Sequence, residues 1–315
     1  MKVLVTGGCG FIGSHFVELL LANGYKVLDA LTYAGKEENV EKINESYTFI
    51  HGDICDEKTV KTIYRAFRPD FVVNLAAETH VDNSIVDDKD FIRTNVEGTR
   101  VLLRSALGAG SVKKFVQVST DEVYGSLPLD TLETKHSPFT ESSKIDPSSS
   151  YSASKAAAEF LTFSYYKTFG LPVVVTRCCN NYGPRQDLEK FIPTIIKRIL
   201  DGHPIPVYGK GLNVREWIYV KDHVEALLNA LSGKPGEAYN IGSGVELCNI
   251  HMVKEIIGIM ERGKYEFVPD RLGHDLRYAL DSSKARKEFD WSPKWPLWRG
   301  LKETVRSHPE NKCIN

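Results

Sequence analysis

Thr120-Asp121-Glu122 closes an apolar, strand-like run, and Tyr151-Ser-Ala-Ser-Lys155 follows a polar loop. A tyrosine and a lysine four residues apart share one helix face. There the tyrosine can take a proton from a hydroxyl as hydride leaves the same carbon. That pair suffices for oxidising an alcohol. Two adjacent carboxyl groups add what an elimination of water requires: a protonated one to serve the departing hydroxyl and an ionised one to remove the neighbouring proton. The competing readings are a solvated turn for Asp121-Glu122 and an exposed i, i+4 pair for Tyr151 and Lys155.

Such chemistry needs a hydride acceptor. Lys2-Val3-Leu4-Val5-Thr6 reads as a buried strand and runs into Gly7-Gly8-Cys9-Gly10-Phe11-Ile12-Gly13. Glycines at 7, 10 and 13 allow a tight turn, close approach to a pyrophosphate and close packing of the next helix. Phe11, Ile12, Phe16, Val17, Leu20 and Leu21 then recur at helical spacing, and Lys26-Val27-Leu28 ends in Asp29. An acidic side chain there accepts bonds from the adenosine ribose and repels the extra phosphate of NADP, which favours NAD. The alternative for Asp29 is the start of a solvated loop. Asp53-Ile54, after the strand-like Tyr47–Ile50, falls near the adenine on the same logic.

The elements that must hold these groups alternate. Strand-like runs at 71–75, 114–119 and 172–176 are separated by helical patterns at about 57–67, 88–108 and 151–169. Near-continuous apolar strands with helices between them predict an α/β, doubly wound parallel Rossmann sheet with ligands at the carboxyl ends of its strands. Residues 1–182 are expected to form the NAD-binding domain. Residues 183–315 are expected to be mainly a smaller substrate-binding α/β region, with a soft boundary because strands near 215–242, Glu237–Gly242 above all, suit the main sheet. The Ser/Pro/Thr-rich loop at about 127–150 reads as a mobile cover for the site.

Composition narrows the class. Basic and acidic residues, 40 and 41 of the 315, are well mixed, so no nucleic-acid partner is expected. No apolar run approaches a membrane helix and the chain starts directly in a strand, which predicts a cytoplasmic protein without a membrane partner. The six cysteines lack metal-ligand spacing, so neither a zinc site nor a disulfide framework is expected.

Gly7-x-x-Gly10-x-x-Gly13 with Tyr151-x-x-x-Lys155 resembles the extended short-chain dehydrogenase/reductase family. Ala76–Asp82, Val118–Gly125, Arg177–Pro184, Asn213–Trp217 and Asp270–Asp275 are similar to its nucleotide-sugar 4,6-dehydratase branch. The resemblance spans about residues 1–305, and it implies an NAD enzyme that turns an NDP-glucose, dTDP-glucose first among them, into the 4-keto-6-deoxy sugar. Tyr151, its pKa lowered by Lys155 and the nicotinamide charge, would take the C4 hydroxyl proton while Thr120 bonds the same oxygen. Glu122 would remove the C5 proton, and Asp121 would donate to the departing C6 hydroxyl. The resemblance adds Phe11, Ile12, Thr32, Gly35, Ile54, Leu75, Ala76, Ala77, Thr94 and Asn181 to the cofactor site. Around the nucleotide sugar it places Thr79, Asn180, Lys190, Phe191, Pro206, Tyr208, Arg215, Asn249, Arg271 and His274. It also implies a homodimer through the helix of Tyr151 and Lys155, where Phe160, Leu161, Phe163 and Tyr165 could serve either the interface or the parent sheet. UDP-glucose or UDP-N-acetylglucosamine dehydration, 4-epimerisation, decarboxylation and a non-catalytic dinucleotide-binding role are the alternatives.

Overall fold

A computed structural model describes residues 1–31, 36–40, 45–131, 133–270 and 275–311. The chain opens with β1 (Lys2–Thr6), α1 (Phe11–Ala22), β2 (Lys26–Leu31), β3 (Tyr47–His51), α2 (Glu57–Phe67) and β4 (Phe71–Asn74). Short helices α3 (Val81–Val86) and α4 (Lys89–Phe91) follow, then a π-helical turn at Ile92–Gly98, α5 (Thr99–Ala109) and β5 (Lys114–Thr120). The long helix α6 (Ser150–Phe169) leads to β6 (Val173–Cys178) and β7 (Asn180–Tyr182). Beyond it come α7 (Phe191–Leu200), β8 (Ile205–Tyr208), β9 (Val214–Tyr219), α8 (Val220–Ala230), β10 (Glu237–Ile241), β11 (Glu246–Cys248), α9 (Asn249–Met260) and β12 (Tyr265–Val268).

Seven strands form one parallel sheet in the order β3-β2-β1-β4-β5-β6-β10. The order reverses between β1 and β4, and ligands bind at such a switch point, outside the carboxyl ends. Val3, Val5, Val73, Val116 and Val174 pack towards one helical layer, and Leu4, Val72, Phe115 and Val173 towards the other. Burial of both faces is why these strands read as unbroken apolar runs. Local chemistry sets the helix ends. Asp56 caps α2 by accepting from the N–H groups of Lys58 and Thr59. Ser149 and Ser152 form a capping box on α6, which stops at Gly170 in the left-handed region.

The stretch near 215–242 divides. Glu237–Ile241 joins the main sheet beside β6, but Val214–Tyr219 does not: it lies between β7 and β11 in a three-stranded sheet. Strand β7 follows directly after β6 and recruits β9, while α8 carries the chain back so that β10 takes the open edge. The expected helix over 88–108 is likewise divided by its π turn. The polar loop after Gly125, read as mobile, is stitched to the segment after Asp275. Leu127 bridges to Arg277 and Phe139 to Leu280, and Arg277 pairs with Asp130 and with Glu246 of β11. No described helix is long and apolar enough to cross a membrane.

Candidate active site

The glycine turn is shaped for a pyrophosphate. Gly7 adopts φ +72°, and its carbonyl accepts from Gly10 N–H at 3.0 Å. A Cβ at Gly7 would stand 2.9 Å from the Ala76 nitrogen, and one at Gly13 would collide with the Gly7 carbonyl and approach Gly8 Cα to 2.7 Å. Because those neighbours are backbone and cannot yield, Gly13→Ala should cost about 3 kcal/mol or more. It should also lose bound NAD; a urea melt and assay of co-purified nucleotide check both.

Asp29 ends buried under that turn. Its Oδ1 accepts from Gly8 N–H at 2.8 Å, and its Oδ2 faces the Cys9 thiol at 3.2 Å and the Tyr47 hydroxyl at 3.4 Å. Burial, and next the Asp29 charge, push the Tyr47 hydroxyl far above its ordinary pKa. An acidic side chain near the end of β2 under a glycine turn fits a ribose diol. Phe11 and Ile12 open α1 behind the turn, and Leu75, Ala76 and Ala77 follow β4 at the switch point. Asp53 accepts from Cys55 N–H at 2.8 Å and pairs with Arg93. Ile54 is buried beneath Gly98, where a Cβ would strike it, and Thr94 is buried in the π turn. These features fit NAD. Thr32 and Gly35 lie outside the described residues.

Thr120 ends β5 and caps the turn Asp121–Tyr124: its hydroxyl accepts from Glu122 N–H at 3.3 Å and donates to Asp121 Oδ1 at 3.2 Å. Asp121 is only 2% exposed, and its Oδ2 has no hydrogen-bond partner among the described residues. Burial first, then the charges of Glu122 and Glu216, hold its carboxyl well above the ordinary range, against Arg215 and the Thr120 bond. Asp121 therefore holds its proton more tightly than a free aspartic acid does.

Tyr151 and Lys155 lie one turn apart near the start of α6, both buried. Lys155 Nζ donates to the Val118 carbonyl at 2.7 Å, and burial lowers its pKa to about 8. The lowering of Tyr151 expected from Lys155 and the nicotinamide charge together belongs to the cofactor-bound site, and the protein groups alone act in the other direction. Burial, followed by the charge of Glu122, raises the Tyr151 hydroxyl well above its ordinary value, and its bond with Thr120 opposes them. A phenolate there needs a further positive charge, and the nicotinamide cation carries one. Cys178 itself is pushed up to about 12 by burial, which leaves it an inert thiol.

Beside these groups opens a cleft. Glu122, Thr79, Asn180, Asn181, Lys190, Phe191, Pro206, Tyr208, Arg215 and Asn249 line it; Thr120, Asp121, Tyr151 and Lys155 do not. Arg271 and His274 lie outside the described residues. Arg215 is steered by the Val214 and Asp275 carbonyls at 2.8 and 3.0 Å and lies 4.4 Å over the Tyr278 ring. Lys190 donates across the cleft to the Thr79 carbonyl at 2.8 Å, and His80 approaches Glu189 at 3.3 Å. His80, Glu189, Trp217 and Tyr278 also line it and were not assigned to it from the sequence, although His80 and Trp217 fall inside the blocks Ala76–Asp82 and Asn213–Trp217. A further signal is proximity to Thr79, Lys190 and Arg215. Among the described residues no cluster could hold a metal ion.

The chain is similar over nearly its whole length to known proteins. The chain is 47% identical over 313 residues to the low-salt glycan biosynthesis protein Agl12 of Haloferax volcanii, covering 97% of each. It is 44% identical over 326 residues to a dTDP-glucose 4,6-dehydratase of Streptomyces niveus, covering 99% of this chain and 94% of that one. The crystal structure of DesIV, a dTDP-glucose 4,6-dehydratase from Streptomyces venezuelae solved with NAD bound, superposes with a TM-score of 0.93 at 43% identity, over 99% of this chain and 98% of that one. Residues 4–304 match the pattern of GDP-mannose 4,6 dehydratases, and the chain belongs to that family.

Proposed function

We propose that this chain is an NAD-dependent dTDP-glucose 4,6-dehydratase, a hydro-lyase that forms the 4-keto-6-deoxy sugar. The observation that carries the reading is Asp121, a buried carboxyl with an unpartnered Oδ2, its proton affinity raised by burial, beside a second carboxyl group and the Tyr/Lys pair. Oxidation alone, or 4-epimerisation, leaves that acid without work. The choice of dTDP-glucose rests on full-length relatives of that name.

Bound NAD would supply the hydride chemistry, oxidation at C4 and later reduction at C6, with no net consumption. Tyr151 takes the C4 hydroxyl proton, with Thr120 bonded to the same oxygen and Lys155 one helical turn further on. The ketone so formed acidifies C5–H, which Glu122 removes. Asp121 protonates the departing C6 hydroxyl, and C5 is later reprotonated. The glycine turn, Asp29, Asp53, residues 75–77, Thr94 and Asn181 hold the cofactor. Arg215 suits the diphosphate by its forked donors, Lys190 by its charge, and Tyr208 and Phe191 offer faces to the base. Thr79, Asn180, Pro206 and Asn249 complete the sugar-nucleotide wall.

A homodimer and the cytosol are part of the proposal. Helix α6 exposes Phe160, 58% accessible, and neighbouring α3 exposes Ile85 and Val86, an apolar surface that a second copy would cover. Tyr165 instead turns into the parent core, with Leu161 and Phe163 partly buried against it. Sedimentation at micromolar concentration should give twice the 35.4 kDa chain mass.

The test is mass spectrometry of the protein incubated separately with dTDP-glucose, UDP-glucose and UDP-N-acetylglucosamine. dTDP-glucose is expected to lose one water. Conversion of UDP-glucose to its C4 epimer with no water loss would overturn the dehydratase reading.

A further inference from the structure

Asp121 and Glu122 come from the end of β5 and Tyr151 and Lys155 from α6, so a productive site needs the two elements in register. Arg177, only 4% exposed near the end of β6, reaches both. Its Nε and Nη2 donate to the Glu159 carboxylate at 3.0 and 2.7 Å. Glu159 lies four residues beyond Lys155 and eight beyond Tyr151, on the same helix face. On the other side Nη1 donates to the Tyr124 hydroxyl at 2.7 Å and to the Glu141 carbonyl at 3.3 Å, and the guanidinium lies 4.9 Å over the Tyr124 ring. Tyr124 closes the turn that begins with Asp121 and Glu122. Its hydroxyl in turn donates to Asn240 Oδ1 at 2.8 Å, and Asn240 N–H donates to the Glu141 carboxylate at 2.8 Å.

A buried ion pair is weak evidence of stabilisation, since apolar residues of equal volume are often as good or better in its place. What apolar packing lacks is direction. A guanidinium fork fixes the angle as well as the distance of its partners, and here the partners sit on the acid/base turn and on the oxidation helix. We infer that Arg177, Glu159 and Tyr124 are positioning residues that register the Asp121-Glu122 turn against the Tyr151-Lys155 helix, so that oxidation at C4 and elimination across C5 and C6 act on one bound sugar. The inference rests on the dehydratase reading above and adds to it residues that touch no substrate.

Tyr124→Phe is the sharpest probe. It deletes one hydroxyl and its two hydrogen bonds and keeps the ring, stacked 4.8 Å from Phe139. Single-turnover reactions quenched into borodeuteride label every 4-keto sugar at C4, and the mass then tells whether the C6 oxygen is still present. Because a misplacement of about 1 Å can cost roughly 100-fold, water loss should slow by about 10-fold or more. C4 oxidation should hold near the wild-type rate, so that undehydrated 4-keto hexose accumulates, and entry of solvent deuterium at C5 should slow with water loss. The double variant Arg177→Met with Glu159→Met, which leaves no unpaired charge, should show the same partition. Parallel loss of both steps, or loss of neither while the melting temperature falls, would overturn the register and leave a purely structural network. Wild-type protein run alongside separates the two failures: no water loss from wild type overturns the dehydratase reading and this inference with it, whereas normal wild-type water loss with unpartitioned variants overturns the inference alone.

Discussion

Replacing Asp121 by asparagine should slow water loss by about 10²- to 10⁴-fold, the usual contribution of one general acid, while the 4-keto hexose still forms. Asparagine has nearly the shape of the acid but no proton to give a departing hydroxyl. The same change should stabilise the fold at higher pH. Burial and the neighbouring Glu122 and Glu216 charges raise the native Asp121 carboxyl well above its reference value of 3.8, so the native state binds this proton more tightly than the unfolded chain does. Its contribution to stability is complete below that reference value and is lost as pH rises towards the raised native value. Asparagine does not ionise, so the melting temperature of the variant should exceed that of wild type by a margin that grows as pH rises above the reference value of 3.8 towards the raised native value. Full dehydration by Asp121→Asn would remove Asp121 from the mechanism. A margin that shrinks with pH would mean the native carboxyl is ionised.

The sheet was legible because its strands are buried on both faces and so spell apolar runs: Val3 to Val5, Val72 and Val73, and Val173 to Val175 each read as the strand they form. The glycine turn was legible because glycines 7 and 13 occupy places where a Cβ would meet backbone. The partition of the later strands was not. Val214–Tyr219 is as buried as a central strand, and only the departure of β7 from the main sheet decides which neighbour it takes. The wall of the cleft formed by Trp217 and Tyr278 depends on contacts between remote segments, such as Arg215 over the Tyr278 ring. The proton affinity of Tyr151 was not legible for a related reason: burial and the charge of Glu122 raise it, and neither shows in the spacing of Tyr151 and Lys155.

Glu122→Gln should act on two steps in opposite directions. Glutamine cannot accept the C5 proton, so solvent deuterium should enter C5 about 10²- to 10⁴-fold more slowly, and water loss, which follows C5 deprotonation, should fall with it. The Glu122 charge also ranks after burial among the causes that raise the Tyr151 hydroxyl. Removing a negative charge beside a phenol stabilises the phenolate, so Tyr151 should ionise at lower pH in the variant. The rising limb of C4 oxidation, followed as borodeuteride-trapped 4-keto hexose against pH, should therefore move to lower pH even as elimination stops. A variant that loses C5 exchange without that displacement would keep Glu122 as the C5 base but place its charge too far from the tyrosine to matter. Undiminished deuterium entry would exclude Glu122 as the base and leave the site able to oxidise C4 without a partner for its acid.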